Sequence, residues 1–453
     1  MNRLLHSLNI DTSRFTNDFL GHEISGVSTD TRFIKKGDVF FALKGPRFDG
    51  ADYVGRAFDA GASLSVVNQS SREKLLSWDR VVYVENSERA LGSAASDYRE
   101  LFIGKVIGLT GTSGKTTVKD MISKILGGQF QVHSTQGNFN NQIGLPLTIF
   151  GIDDSHNCAV LEMGMSAPGE IAYLASIARP DIGVLLNVGP AHLEFFGSIE
   201  KIADAKAELL ESLGENGTAV VNGDDTLIES RLSRCKGKIV KFGINRMYDF
   251  KGENIVLHPD GCASFDIEEF TIKLNVPGSH NVYNALAAYA VASILGVDKM
   301  NIAMQLENIT ASSMRMERIE RDGILFINDS YNANPLSMKA AADVLRNMEN
   351  VSGGRKIAVL GDMLELGEGS EKAHREIGRL FGSLGINMLC FVGKSADFYA
   401  EGAWESGMHP DDVIIYDHVD DAVEFIENVK CPGDIILVKG SRALGMEKVV
   451  NRY

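Results

Sequence analysis

Residues 106–122 read VIGLTGTSGKTTVKDMI, and the fold depends on what joins the two halves of that stretch. The first half, 106–110, is an apolar run suited to a buried strand. In the second, Val118, Met121, Ile122, Ile125 and Leu126 fall at i, i+3, i+4, i+7 and i+8, one face of a helix. Gly111, Thr112, Ser113, Gly114, Lys115, Thr116 and Thr117 therefore occupy a loop between a strand end and a helix N-terminus. Backbone N–H groups and the positive end of the helix dipole favour phosphate oxygens there. Glycines let the backbone approach, a lysine reaches the terminal phosphates, and the Thr116 hydroxyl suits a magnesium ion. The common phosphate loop keeps four residues between its glycines, whereas the position five before Gly114 is Leu109 and this chain has GxxGKTT. With a strand before it and a helix after it, the loop is predicted to bind a mononucleotide and not to be an incidental glycine-rich turn.

The chain has 453 residues, too many for one core, so two or three domains are expected. With 45 Lys+Arg against 60 Asp+Glu, its formal charge of -15 argues against non-specific binding to nucleic acid or anionic lipid. Anionic substrates stay open, because a few local cations suffice for them. The five cysteines, Cys158, Cys235, Cys262, Cys390 and Cys431, are scattered and form no CxxC pair, so they are expected as small buried residues of a reducing compartment. The opening MNRLLHSLNIDTSRF is unlike a signal peptide, and no run of about 18 apolar residues is present. A cytoplasmic protein without membrane insertion is expected, and a monomer.

Residues 1–103 show short strands and turns, closed by a helix over 85–102 with Leu91, Ala94, Ala95, Tyr98 and Leu101 on one face. From 105 strands alternate with helices, the pattern of a parallel sheet covered on its faces. Shorter strands over 254–278 suggest an antiparallel patch, followed by the helix SHNVYNALAAYAVASIL. Near Ser313 a third unit begins, with ILFINDS, KIAVLGD, MLCFVG, VIIYD and DIILVKG as strands of a second α/β domain. The fold class is α/β in three domains, 1–103, 104–312 and 313–453: a small α/β domain, a central phosphate-loop domain with a parallel sheet, and a C-terminal α/β domain.

Phosphoryl transfer needs metal ligands and positive charge more than covalent chemistry. Glu162 in LEMG follows an apolar strand, at the carboxyl end where parallel sheets place ligands, and suits magnesium; a surface glutamate at a strand end is the alternative. His192 follows IGVLLNV in the same way, and that spacing fits a structural histidine equally. Lys206 in IADAKAELLESL reads by itself as a solvated helix lysine, and Arg315 in MRMER as a linker arginine.

Ten ordered blocks carry a resemblance: GTSGKTT, NFNNQIGLPLT, LEMG, NVGPAHLEFFGS, AKAEL, GSHNVYNALAA, RMER, NDSYNANPLSM, VLGDMLELG and VKGSR. Together they resemble the Mur ligases, ATP-dependent enzymes that build the peptide of the peptidoglycan precursor. YNANPLSM, GDMLELG and KGSR are most similar to the member that adds D-alanyl-D-alanine. The resemblance implies an N-terminal UDP-sugar-peptide domain, a central ATPase and a C-terminal Rossmann-like domain that receives the amino substrate. The implied substrates are ATP, UDP-N-acetylmuramoyl-tripeptide and D-alanyl-D-alanine, with Mg2+ as cofactor. The tripeptide carboxylate would be phosphorylated and the acyl phosphate then displaced by the dipeptide amine. Another Mur ligase or a folylpolyglutamate synthase-like ligase is the enzymatic alternative, and a non-catalytic ATP-dependent switch or scaffold the other.

Carried over residue by residue, the resemblance gives Lys115 and the loop backbone to the β- and γ-phosphates, and Thr116, Glu162 and His192 to magnesium. Lys206 matches a lysine that several members carbamylate, which would make it an anionic ligand. Asn284 matches the adenine contact, Arg315 the arginine near the γ-phosphate and Asp329 the ribose contact; Tyr331, Asn332 and Asn334 would shape the same cleft. Asn138, Asn140 and Asn141 match contacts to the muramoyl peptide, with turn-forming asparagines as the alternative. Thr31, Arg32 and Asp49, in VSTDTR and KGPRFDG, match uridine-handling segments, although Thr31 stands where the family more often has serine. Asp362 and Glu365 would face the dipeptide amine, unless Asp362 caps a helix. Sites supplied by several domains imply closure around the acyl phosphate, from an arrangement expected to be open without ligands.

Overall fold

The computed structural model describes residues 2–8, 10, 13, 20–21, 23–349 and 353–451. Four parallel strands, β1 (Val27–Ser28), β2 (Val39–Ala42), β3 (Leu64–Asn68) and β4 (Val81–Val84), lie in sequence order in the first sheet. Strand alternation divides their side chains between two cores. Val39 and Phe41 join Leu64, Val66, Val82 and Leu91 on one face, while Phe40 and Ala42 join Val54, Ala57 and Val67 on the other. The predicted closing helix spans Ser87–Arg99, capped by the Asn86 side chain; Leu101 lies beyond it and is exposed.

The second sheet contains β5 (Lys105–Thr110), β6 (Val132–Ser134), β7 (Cys158–Glu162), β8 (Ile182–Leu185), β9 (Thr218–Asn222), β10 (Lys238–Gly243) and β11 (Phe250–Lys251), ordered β11-β10-β9-β8-β5-β7-β6. The antiparallel patch is present as β12 (Glu253–Leu257), β13 (Cys262–Ile267) and β14 (Phe270–Pro277). The helix after it, His280–Ile294, is buried nearly all round, which its run of alanines permits.

The five strands expected after Ser313 are β16 (Ile324–Asp329), β17 (Lys356–Gly361), β18 (Met388–Val392), β19 (Val413–Tyr416) and β20 (Ile435–Lys439). A sixth, β15 (Glu317–Arg321), pairs antiparallel with β16 through Asp322-Gly323, both at positive φ, the geometry of a tight two-residue hairpin. The order is β15-β16-β20-β17-β18-β19, so the last strand inserts between the second and third. Ile327, Ala358, Leu360, Phe391 and Leu437 face one helical layer, and Phe326, Ile357, Val359, Ile436 and Val438 the other. That is the two-sided covering of a doubly wound sheet.

The chain forms two compact units. One comprises 1–108, 130–165 and 170–181; the other comprises 109–129, 166–169 and 182–453. Cys158, Cys262 and Cys390 are buried as expected, but Cys235 is half-buried and Cys431 exposed, both lying in connecting segments beyond the sheets. No helix among the described residues is long and apolar enough to cross a membrane.

Candidate nucleotide and ligation site

In the second unit, Gly114 stands at φ 84° immediately before the helix Lys115–Leu126, whose N-terminus no side chain caps. A left-handed residue is accessible to glycine at little cost, and a Cβ here would lie 2.5 Å from Asn284 Oδ1. The loop is braced from behind by a residue that the sequence reading left unassigned. Asn187 accepts from Thr112 N–H through its carbonyl at 3.0 Å and from Ser113 N–H through Oδ1 at 2.9 Å, while its Nδ2 donates to the Ser113 carbonyl. Thr112 Oγ1 also accepts from Gly189 N–H at 2.9 Å. The Lys115 ammonium donates to the Gly111 carbonyl at 2.8 Å, folding back over the loop.

Lys206 is not a solvated helix lysine. On the helix Ile199–Ser212 it is only 3% exposed, among Ile202, Ala203, Leu209 and Leu210. Burial, and then the nearby Lys115 cation, hold its amine well below the ordinary lysine value. His192 has φ 58° at the start of the short helix Leu193–Phe196, and its Nδ1 lies 2.5 Å from Glu365 Oε2. With Nδ1–H donating to that carboxylate, Nε2 is the ring nitrogen suited to a cation. The His192 hydrogen bond, the first cause, holds the Glu365 carboxyl below its usual range.

Glu365 thus meets the histidine. Asp362 is buried, and its oxygens accept from Lys394 N–H at 2.9 Å and Ser395 N–H at 3.0 Å, in the turn ahead of the helix Ala396–Glu405. Asn334 caps the helix Pro335–Asn347, and its Nδ2 lies 3.5 Å from Ser113 Oγ. These contacts bring the C-terminal segment against the loop and His192. Complementary polar pairs hold it there: carboxylate on imidazole, amide on hydroxyl.

Asp329 is also committed. Its Oδ2 lies 2.5 Å from the Lys439 ammonium, 2% exposed, and its Oδ1 accepts from Met316 N–H at 3.1 Å. The two are cross-strand partners at the carboxyl ends of β16 and β20. Lys439 went unassigned although KGSR contains it. Asp329 therefore anchors the segment that carries Arg315, between Met314 at φ 59° and Met316 at φ 54°. Such non-glycine backbone costs roughly 1–3 kcal/mol per residue and persists only where surroundings impose it. Arg315 lies over the Tyr331 ring at 3.8 Å. Asn284 donates to Asn281 Oδ1 at 2.8 Å, a second unassigned asparagine whose signal was its i, i+3 spacing. Asn332 gives its carbonyl to Lys439.

In the first unit, Glu162 is 2% exposed, and Asn140 Nδ2 donates to its Oε1 at 2.8 Å. Asn141 takes the turn alternative, its Oδ1 accepting from Ile143 and Gly144 N–H at the start of the helix Gly144–Phe150. Asn138 is exposed. Arg32 is exposed and paired with Asp30, Thr31 is half-buried, and Asp49 caps the turn Gly50–Tyr53.

Comparison with protein families covers most of the chain. Residues 23–99 match the Mur ligase family catalytic domain, 109–292 the Mur ligase middle domain and 314–442 the Mur ligase glutamate ligase domain. UDP-N-acetylmuramoyl-tripeptide--D-alanyl-D-alanine ligase of Bacillus subtilis is 39% identical over 94% of this chain and 92% of its own. The chain belongs to the Mur ligase family. The ligase of the same name from Escherichia coli is 35% identical over 98% of each chain. Among solved structures of Mur ligases, MurF from Acinetobacter baumannii superposes with TM-score 0.88 at 32% identity, covering 99% of this chain and 97% of that one. MurF from Thermotoga maritima in complex with ADP gives 0.82 at 31% identity, covering 96% and 97%.

Proposed function

We propose that the chain is an ADP-forming ligase that joins D-alanyl-D-alanine to UDP-N-acetylmuramoyl-tripeptide in peptidoglycan precursor synthesis. The observation that carries this reading is the phosphate loop: Gly114 at φ 84° opens a helix N-terminus that no side chain caps, and Lys115 folds back over it. A cation and backbone amides at a helix N-terminus match a polyanionic nucleotide. The relatives' names and the ADP complex support the choice of reaction.

On this reading a tripeptide carboxylate oxygen attacks the γ-phosphorus as the bond to ADP breaks. The dipeptide amine then attacks the acyl carbon, phosphate leaves, and the amine loses a proton. Lys115 and the loop amides orient the phosphates, and Arg315 carries charge toward the γ-phosphate. Magnesium would offset the repulsion between two anions, with Thr116 and His192 as donors in the second unit; Glu162, given to it by the family resemblance, lies in the first. Once unprotonated, which its lowered pKa favours, the Lys206 amine would take up carbon dioxide, forming an N–C bond and releasing a proton, and become an anion. Asn284 and Tyr331 border the nucleotide, while Thr31, Arg32, Asn138 and Asn140 serve the UDP-peptide. Asp49, Asn141 and Asp362 hold local turns. The divisions 1–103, 104–312 and 313–453 are retained as the UDP-peptide, ATPase and amino-substrate domains.

The test supplies ATP, magnesium and UDP-N-acetylmuramoyl-tripeptide, with and without D-alanyl-D-alanine. Phosphate release that needs the dipeptide, with a new amide bond by mass spectrometry, is expected. Equal release with glutamate would move the chain to a sister ligase. No substrate-stimulated release would leave a nucleotide switch.

A further inference from the structure

The turn that carries Glu365 to His192 is fastened at five backbone polar groups. Leaving β17, the Gly361 carbonyl accepts from Tyr399 Oη at 3.1 Å, and Asp362 N–H donates to the Val392 carbonyl. The Asp362 carbonyl accepts from Ser441 N–H at 3.0 Å, and Leu364 N–H donates to Ser441 Oγ at 2.9 Å. Met363 N–H donates to His374 Nε2 at 3.0 Å. His374 is fully buried on the helix Ser370–Gly382, packed edge-on against Tyr399 with ring centroids 4.6 Å apart. Its Nδ1 lies 2.7 Å from the Ser370 carbonyl, so Nδ1–H donates there and Nε2 is left as acceptor. One tautomer satisfies both bonds.

Beyond this fastened stretch the chain turns left-handed at Glu365, φ 63°. Its carboxylate then meets His192 and its carbonyl accepts from Glu194 N–H at 3.2 Å. A short turn fixed at 361–364 has little freedom to place Glu365 elsewhere. Neither the mechanism above nor the sequence reading uses His374.

We infer that His374 is a positioning residue for ligation: by holding Met363 N–H, with Ser441 and Tyr399 holding the adjacent groups, it sets the turn so that Glu365 reaches His192. This rests on the ligase reading for its kinetic consequence, but the placement of the turn stands on geometry alone. His374→Leu removes the acceptor and strands a buried N–H, whereas His374→Gln can place its Oε1 where Nε2 was.

The test is a cycle in the full chain of His374→Leu, His374→Gln, Glu365→Ala and the double variant His374→Leu/Glu365→Ala, read two ways. In steady-state ligation, Glu365→Ala and His374→Leu should each lower kcat about 10-fold with KM for ATP within about twofold. His374→Gln should return to within about threefold of the parent, and the double variant should be no more than about threefold worse than the poorer single one. A double variant down by about 100-fold, or a glutamine variant no better than leucine, would overturn the inference. The second reading is amide hydrogen exchange over 361–367, expected about 100-fold faster in the leucine variant and near parental in the glutamine variant. Unchanged exchange would also overturn it, and should His374→Leu fail to fold, Ser441→Ala takes its place in both readings. If the parent makes no amide bond, the ligase reading fails while the exchange result still decides the placement.

Discussion

Two lysines are almost equally buried in this molecule and have opposite surroundings. Lys439, at the end of β20, is 2% exposed and meets Asp329 Oδ2 at 2.5 Å, with the Asn332 carbonyl at 2.9 Å. Lys206, at 3%, pairs with no carboxylate among the described residues, and the charge it feels is another lysine. A buried cation is tolerated when its charge is matched and its hydrogens are satisfied, and then it fixes geometry. An unmatched one sheds its proton and becomes a nucleophilic amine. The contrast separates a lysine that holds the site from one that takes part in its chemistry.

The largest effect should come from breaking the matched pair. Lys439→Met strands the Asp329 carboxylate and should destabilise the C-terminal sheet by about 3–5 kcal/mol. Trp404, on the helix Ala396–Glu405 of that domain, reports its urea unfolding once Trp78 is changed to Phe. Adding Asp329→Asn should recover part of the loss, since a neutral pair carries no stranded charge. A loss below about 1 kcal/mol would mean that the ion pair does not hold the sheet end.

Lys206→Met should behave in the opposite way. Ligation should fall about 100-fold or more, roughly 2.7 kcal/mol of barrier, with stability unchanged or raised, because no charge is stranded. Its pH signature has a definite sign. The folded amine binds its proton more weakly than the unfolded one at 10.5, so the unfolded state holds more protons between the two values. In buffer free of carbon dioxide, stability should therefore rise with pH from the depressed folded value toward 10.5, and Lys206→Met should remove that slope. A parent and variant with the same slope would make Lys206 an ordinary lysine. In the parent, ligation should be several-fold slower in such buffer and recover on adding bicarbonate.

How far sequence alone reaches follows from the same contrast. The strand, loop and helix at 105–126 are local, so periodicity and two glycines sufficed to place them. The five apolar strands after Ser313 were legible for the same reason. β15 was not, because ERIER is a half-buried edge strand without an apolar run, although Asp322-Gly323 was a readable hairpin turn. The Asp329–Lys439 pair joins residues 110 apart and exists because β20 inserts beside β16, a matter of topology that no spacing encodes. Glu365 on His192 is likewise tertiary, which is why the sequence aimed that carboxylate at a substrate. Lys206 was read as solvated because its helix is amphipathic, and only packing shows which face it shares.

The smallest effect tests whether the matched pair acts on chemistry as well as on stability. Asp329 binds Lys439 with one oxygen and Met316 N–H with the other, so the pair fixes the Met314-Arg315-Met316 segment from one end. Tyr331 fixes it from the other, its N–H donating to the Met314 carbonyl at 3.1 Å and its ring lying beneath the guanidinium. Tyr331→Leu keeps the backbone bond and removes the ring face, a contact worth about 0.5–2 kcal/mol. If Arg315 is aimed by both ends, the variant should lose about three- to tenfold in kcat/KM for ATP and leave the urea midpoint reported by Trp404 in place. Should kcat/KM stay unchanged, the Asp329 anchor alone would aim Arg315. Should the midpoint fall with it, Tyr331 would belong to the fold and not to the aim of the guanidinium.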